Sequence, residues 1–347
     1  MSMTSIAMKG MRAVFCTGLV LLAVSCNGDP LAEKDVPRRS VSFVVDGGAA
    51  PTRAAVTAYE GTVSSLDVLV FRSDDGMLDA HARSVSSSSV TAEVSDGMAF
   101  DWYVLANAPE GAFSGYASEG AFLAGLALLT DCTSRSLVMM GHGTMAAPSS
   151  APVRASLDRY PCKVTLEELV VDWPDAFAMG QVSLGRVVLV NVVGSTPWSA
   201  VPAAGDLWYN RMGVDASLSA FVSDMTVKDW GGYSLSPGVA VDVASPLYCM
   251  PNPVSNGVNS ANAPEWSPRS TRLAVELLIG GASNWYPIDL PAMYCNKHYL
   301  IRRLTVKGPG SQGPDWPVER EDIRFTVLVE PWGSEEIPVN YGYGGGQ

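Results

Sequence analysis

Histidine is scarce in this chain: three in 347 residues, at positions 81, 142 and 298. No second histidine or cysteine lies at ligand spacing near His142, which argues against an imidazole-held metal, and "GHG" reads as a loop carrying a lone histidine. The motifs H-E-x-x-H and G-x-S-x-G and the Walker loop are all absent. Basic charge is short as well: 23 Lys and Arg stand against 35 Asp and Glu, a net charge of −12. Nucleic acid and anionic membrane surfaces both require a basic face, so neither is expected as a partner. Asp74 and Asp75 lie in "RSDDGM", where they read as turn formers rather than an acid and base pair. "GPGSQG", residues 308–313, matches G-x-G-x-x-G by letter, but Pro309 and Pro314 flank it and a strand follows, so a β-turn is expected there. The sequence names no catalytic residue and implies no enzyme, no cofactor and no metal.

Long apolar runs are missing too. The run at residues 13–24 rises only about 18 Å as a helix, against a bilayer core of about 30 Å. With Lys9 and Arg12 before it and "AVSC" closing it, residues 1–25 read as an export signal ending in a lipobox, with Cys26 the acylated residue. Any membrane attachment is then through lipid. Four cysteines remain beyond Cys26: Cys132, Cys162, Cys249 and Cys295. An oxidising compartment allows disulfides. Cys249 with Cys295 is the favoured pairing, because each follows a tyrosine in a strand-like run; four buried free thiols are the alternative.

What the chain does have is apolar matter, 47% of its residues, cut into short β-branched runs by Gly, Pro, Asn, Asp and Ser. "SVSFVVDGG", "SLDVLVFRSDDG", "SVTAEVSDG", "FDWYVLANAP", "VTLEELVVDW", "VSLGRVVLVNVVG", "TRLAVELLIGG", "NWYPIDLP", "YLIRRLTVKGPG" and "DIRFTVLVEPW" all read as strands of sandwich or barrel domains. Only "SEGAFLAGLALLTD", residues 118–131, reads as a helix, and residues 205–230 as an irregular helical piece. The low-complexity loop at 143–152 places a domain boundary near Asp158.

Two strands are oddly placed. "SVSFVV" puts Val41, Phe43 and Val45 on one face and precedes a small, flexible segment carrying Arg53, the substrate an Arg-specific protease needs. Near the end, "EEIPVNYGYGGGQ" alternates Ile337, Val339, Tyr341 and Tyr343 with small or polar residues. If the first strand were cut away after Arg53, the last strand of another copy could fill its place, a head-to-tail contact that propagates. Ordinary pairing of both strands within one molecule explains the same pattern.

In the order "RRSVSFVV", "PTRAAV", "VSSLDVLVFRSDDGML", "YVLANAP", "LVMMGHGTM", "VRASLDRYPCKVTLEELVV", "LYCMPNP" and "NKHYLIRRLTVKGPGSQGPDWPV", the chain resembles the fimbrillins, shaft subunits of type V pili. The resemblance implies an all-β fold of two transthyretin-like sandwiches in tandem with a short helix in the first. It divides the chain into a signal peptide (1–25), a propeptide with the first strand (26–53), an N-terminal domain (54–157) and a C-terminal domain with a donor strand (158–347). It further implies lipidation, such as palmitate, at Cys26, cleavage between Arg53 and Ala54, and polymerisation by donor-strand exchange. Arg38 and Arg39 are competing cleavage sites. Expected partners are other copies, accessory pilus subunits, an Arg-specific surface protease and surface ligands. The expected location is the outer membrane for the anchored precursor and the extracellular fimbrium for the mature chain. A tip, accessory or anchor subunit of the same pilus is the alternative role. Another is a glycan-binding surface lipoprotein using Trp198, Trp208, Trp230 and Trp266.

Overall fold

A computed structural model describes residues 36–45, 59–86, 88–200, 207–215, 217–218, 223–255, 266–319, 321–332 and 339–341. As the alternating runs require, the fold is all-β. β1 (Arg38–Val45), β4 (Ser89–Ser95) and β8 (Val153–Ala155) form one sheet with β1 in its middle, antiparallel to β4 and parallel to β8. Against it packs a sheet of β2 (Leu66–Arg72), β3 (Leu78–Ser84), β5 (Phe100–Ala106), β7 (Met139–Met145) and β9 (Asp158–Arg159), in the order β3–β2–β5–β7–β9. Val68, Val70, Trp102 and Val104 from the second sheet meet Val41, Phe43, Val90 and Ala92 from the first in one buried cluster.

The chain crosses to a second sandwich between Arg159 and Cys162. There β10 (Cys162–Val171), β16 (Val241–Cys249), β19 (Lys297–Val306), β21 (Val327–Pro331) and β22 (Val339–Tyr341) run in the order β16–β10–β19–β21–β22, with β20 (Ile323–Arg324) pairing off β19. The facing sheet is β15–β11–β17–β18, built from β11 (Val182–Val190), β15 (Val227–Ser234), β17 (Arg272–Ile279) and β18 (Ala282–Asp289). Leu69, Phe71 and Leu105, on the outer face of the β2–β5 sheet, join the same apolar cluster as Leu166, Val187 and Tyr299 of the second sandwich. The two sandwiches therefore share a core, and the chain from Pro37 onward is one compact unit.

The expected helix at 118–131 is shorter than its Ala/Leu-rich text suggests. α1 spans Glu119–Ala124, capped by Ser118, whose side chain accepts from the Ala121 amide. It stops at Gly125, where a Cβ would fall 2.0 Å from the Tyr116 hydroxyl. Residues Leu126–Leu128 turn into β6, paired with β13 (Ser195–Pro197) of the second half. His142, expected in a loop, lies on β7 and stacks on Tyr103, so the loop read at 143–152 starts only after Met145. Among the described residues of 205–230 the helical piece is one short turn, α3 (Ser223–Thr226); a further short helix, α2 (Pro174–Ala178), follows Trp173.

Candidate functional site

β1 obeys its sequence period: Val41, Phe43 and Val45 are buried, while Ser42 and Val44 between them are half-exposed. Each buried side chain contributes about 1.5–3 kcal/mol from apolar burial, and each ladder bond about 0.5–1.5 kcal/mol net. Phe43 sits on Trp102 of β5, ring centroids 5.7 Å apart and planes at 58°. Trp102 has room because Gly143 stands opposite it on β7; a Cβ there would lie 2.6 Å from the indole Cζ2.

β1 is the central strand of three, so its departure would leave β4 and β8 facing each other across one strand's width, about 9–10 Å. Both inner edges would carry unpaired amides and carbonyls over an apolar floor of Val68, Val70, Trp102 and Val104. Such a slot takes an extended segment with apolar residues at every second position.

Arg38 and Arg39 lie inside the β1 ladder, in register with Ser95 and Val94. Arg39 is ion-paired to Asp96 at 3.1 Å and Arg38 donates to the Asp79 carbonyl at 2.9 Å. A protease must hold its substrate as an unpaired strand, so these two arginines are shielded. Arg53 and Ala54 lie outside the described residues, as do Cys26, Ile337 and Tyr343.

Past the 46–58 segment the chain is pinned at once. Glu60 is wholly buried and accepts from Lys163 Nζ at 2.8 Å, the Tyr248 hydroxyl at 2.7 Å and Trp332 Nε1 at 3.2 Å. Its backbone carbonyl accepts from Arg159 Nε at 3.0 Å, and the Arg159 guanidinium lies over the Trp332 ring. Burial lowers the Lys163 and Arg159 pKa values, and the Glu60 charge opposes that shift in both. Trp332 directly follows β21, so one buried ion cluster holds both the chain just after the 46–58 segment and the end of the strand on which β22 pairs. The sequence carried no sign of it beyond "AYEG" and "EPW", because its members are far apart in the chain.

The last strand, β22, contains Val339 and Tyr341 and pairs with β21 by three residues: Val339 with Val329, Asn340 with Leu328, Tyr341 with Val327. Among the described residues it is the outermost strand of its sheet and is held on one side only. β1 is locked between two partners; β22 is not.

Cys132, Cys162, Cys249 and Cys295 are free thiols, and the residue across the ladder from Cys249 is Cys162, not Cys295. Trp198 and Trp208 are buried in the core, while Trp230 and Trp266 are partly buried and pack against it, Trp266 on Trp208 at 5.2 Å and Trp230 on Tyr233 at 5.9 Å. Among the described residues no group of His, Cys, Asp or Glu is arranged to hold a metal ion, and no helix is long and apolar enough to cross a membrane.

Residues 40–162 match the family model of the major fimbrial subunit protein, FimA. No curated protein matches the chain. Among solved structures, a proposed cell adhesion protein of Bacteroides eggerthii is similar with a TM-score of 0.61 at 19% identity, over 85% of this chain and 96% of that one. A fimbrilin of Porphyromonas gingivalis aligns with a TM-score of 0.57 at 14% identity, over 84% of this chain and 97% of the other. A proposed cell adhesion protein of Parabacteroides distasonis gives 0.55 at 16% identity, over 85% and 99%. At these identities the structural likeness establishes a shared fold.

Proposed function

We propose, from the match of residues 40–162 to the model of the major fimbrial subunit protein, that this chain is a structural shaft subunit of a surface pilus that assembles by strand exchange and is not an enzyme. In this reading the chain is exported, acylated at Cys26 and anchored in the outer membrane. Cleavage between Arg53 and Ala54 frees β1, and the C-terminal strand of a second copy (Ile337, Val339, Tyr341, Tyr343) occupies the slot. The division into domains 54–157 and 158–347 and the surface protease belong to the same reading, as do accessory subunits and surface ligands as partners.

The observation that carries it is the contrast between the two strands. β1 is central, buried along one face and followed by the segment holding Arg53; β22 is peripheral and paired over three residues. A fold that surrenders β1 loses a strand with two ladder partners and three buried side chains, and lends one paired along a single edge, which makes a replacement from a neighbour favourable. Such a contact joins two different surfaces and extends as a filament. A tip subunit needs no lendable last strand, so β22 favours the shaft role.

Limited tryptic digestion tests this: cleavage at Arg53 should convert monomers into ladders that survive mild SDS, with filaments visible by electron microscopy. Digested protein that stays monomeric contradicts the shaft role. Removing residues 334–347 should leave a folded monomer that cannot extend; an unfolded product would mean that the last strand belongs to its own core.

A further inference from the structure

Three of the four cysteines beyond residue 26 gather at one end of the β16–β10–β19 sheet. Cys162 opens β10 and Cys249 closes β16, and they are direct register partners in that antiparallel ladder. Cys295 lies two residues before β19 and has no register partner in either strand. Directly opposed residues of an antiparallel pair have Cα atoms about 4.5–5.5 Å apart and side chains on the same face. A disulfide needs Cα atoms about 4.4–6.8 Å apart, so the spacing of such an opposed pair lets the bond close without moving backbone.

Both thiols are fully buried. Cys162 donates to the Tyr294 carbonyl at 3.0 Å and Cys249 lies 3.8 Å from the Met293 sulfur, so the two sulfurs meet neighbouring residues of the same loop. Cys295 is half-buried instead and lines a cavity of about 290 Å³ with Tyr103, Tyr160 and Trp198. Cys132 lies elsewhere, accepting from the Val138 amide across a turn.

We propose that Cys162 and Cys249 are a disulfide site, closing a bond that clamps β16 to β10 and leaving Cys132 and Cys295 as thiols. It rests on the export in the proposed function, since an oxidising compartment must supply the electron acceptor. The reaction is exchange with a low-molecular-weight disulfide or an envelope thiol oxidase: two thiols become one S–S bond, two protons leave, and the two electrons reduce the donor's S–S to two thiols. Burial pushes the Cys162 thiol up, so the attacking thiolate is scarce once the sheet has closed. The bond therefore forms while β10 and β16 are still open to solvent. In a shaft subunit it adds a covalent tie between the centre of its sheet and an edge strand already held by its ladder and by the buried side chains of Val243, Leu247 and Tyr248.

The test is a peptide map of the chain exported to the envelope of an expression host, alkylated with iodoacetamide in denaturant and digested without reductant. The expected product joins the Cys162 and Cys249 peptides, lighter by two hydrogens than the reduced pair, with Cys132 and Cys295 alkylated. Alkylation of Cys162 and Cys249, or a bond from either to Cys295 or Cys132, overturns the assignment. Reductant should lower the unfolding temperature of the unaltered chain and leave that of Cys162→Ser unchanged; equal drops in both also overturn it. Should Cys162→Ser fail to fold, the map of the unaltered chain decides alone. Filaments built from chains with four free thiols would reject the bond and leave the pilus reading standing; a bonded chain that never polymerises after cleavage would do the reverse.

Discussion

The ring of Phe43 rests on that of Trp102, centroids 5.7 Å apart, across the interface between the strand proposed to leave and the sheet that stays. Phe43 is fully buried, so Phe43→Ala should cost the uncleaved chain about 3–5 kcal/mol through lost burial and a cavity. Denaturant unfolding measures this. In cleaved, polymerised protein the same substitution should have no effect, because residue 43 is no longer part of the fold.

Gly143 tests the floor of the slot. Its missing Cβ is what admits Trp102, at 2.6 Å from the Cζ2 position. Gly143→Ala should destabilise by about 1–3 kcal/mol through overpacking. Combined with Phe43→Ala the loss should be less than additive, since the indole can shift into the vacated space; a double-mutant cycle reads that coupling.

The Glu60 cluster predicts a different failure. With Glu60 and Lys163 both buried, Glu60→Ala removes the carboxylate that faces the Lys163 ammonium and should cost about 3–5 kcal/mol. Replacing Lys163 by methionine in the same chain should recover much of that loss. Thermal unfolding of the single and double variants checks both statements.

Stability should fall in acid through His298. Burial, with the Lys163 charge next to it, holds this imidazole down to about 3 from its usual 6.5. Its Nε2 meets the Thr165 hydroxyl at 3.0 Å. The unfolded chain takes up this proton below about 6.5 and the folded chain only near 3, so the contribution is intact above 6.5 and lost as pH falls toward 3. The loss amounts to about 5 kcal/mol at the acid end. His298→Asn should flatten the slope between those pH values in a denaturation series.

Strands with a clean apolar period were legible: β1, β2, β5, β10, β11 and β17 all follow runs of Val, Leu and aromatic residues. β3, "LDAHARS", was not, because Ala, His, Arg and Ser give no apolar stripe on a half-exposed strand. β7 hid behind two glycines that are there for close approaches, Gly141 against the Ser156 carbonyl and Gly143 against Trp102. β16 carries Pro246, which argues against a central strand; it stands at the sheet's outer position, where a missing amide is tolerated. Of the site, the buried face of β1 was readable from alternation alone. The Glu60 anchor and the Cys162–Cys249 register were not, since both depend on which distant strands become neighbours.

Hydrogen exchange at the β4 and β8 amides tests the exchange of strands most directly. In a chain lacking residues 334–347, cleavage at Arg53 should strip protection from the amides facing β1, and adding a synthetic peptide of residues 334–347 should restore it. Protection that survives cleavage, or lost protection that the peptide does not return, would contradict the account.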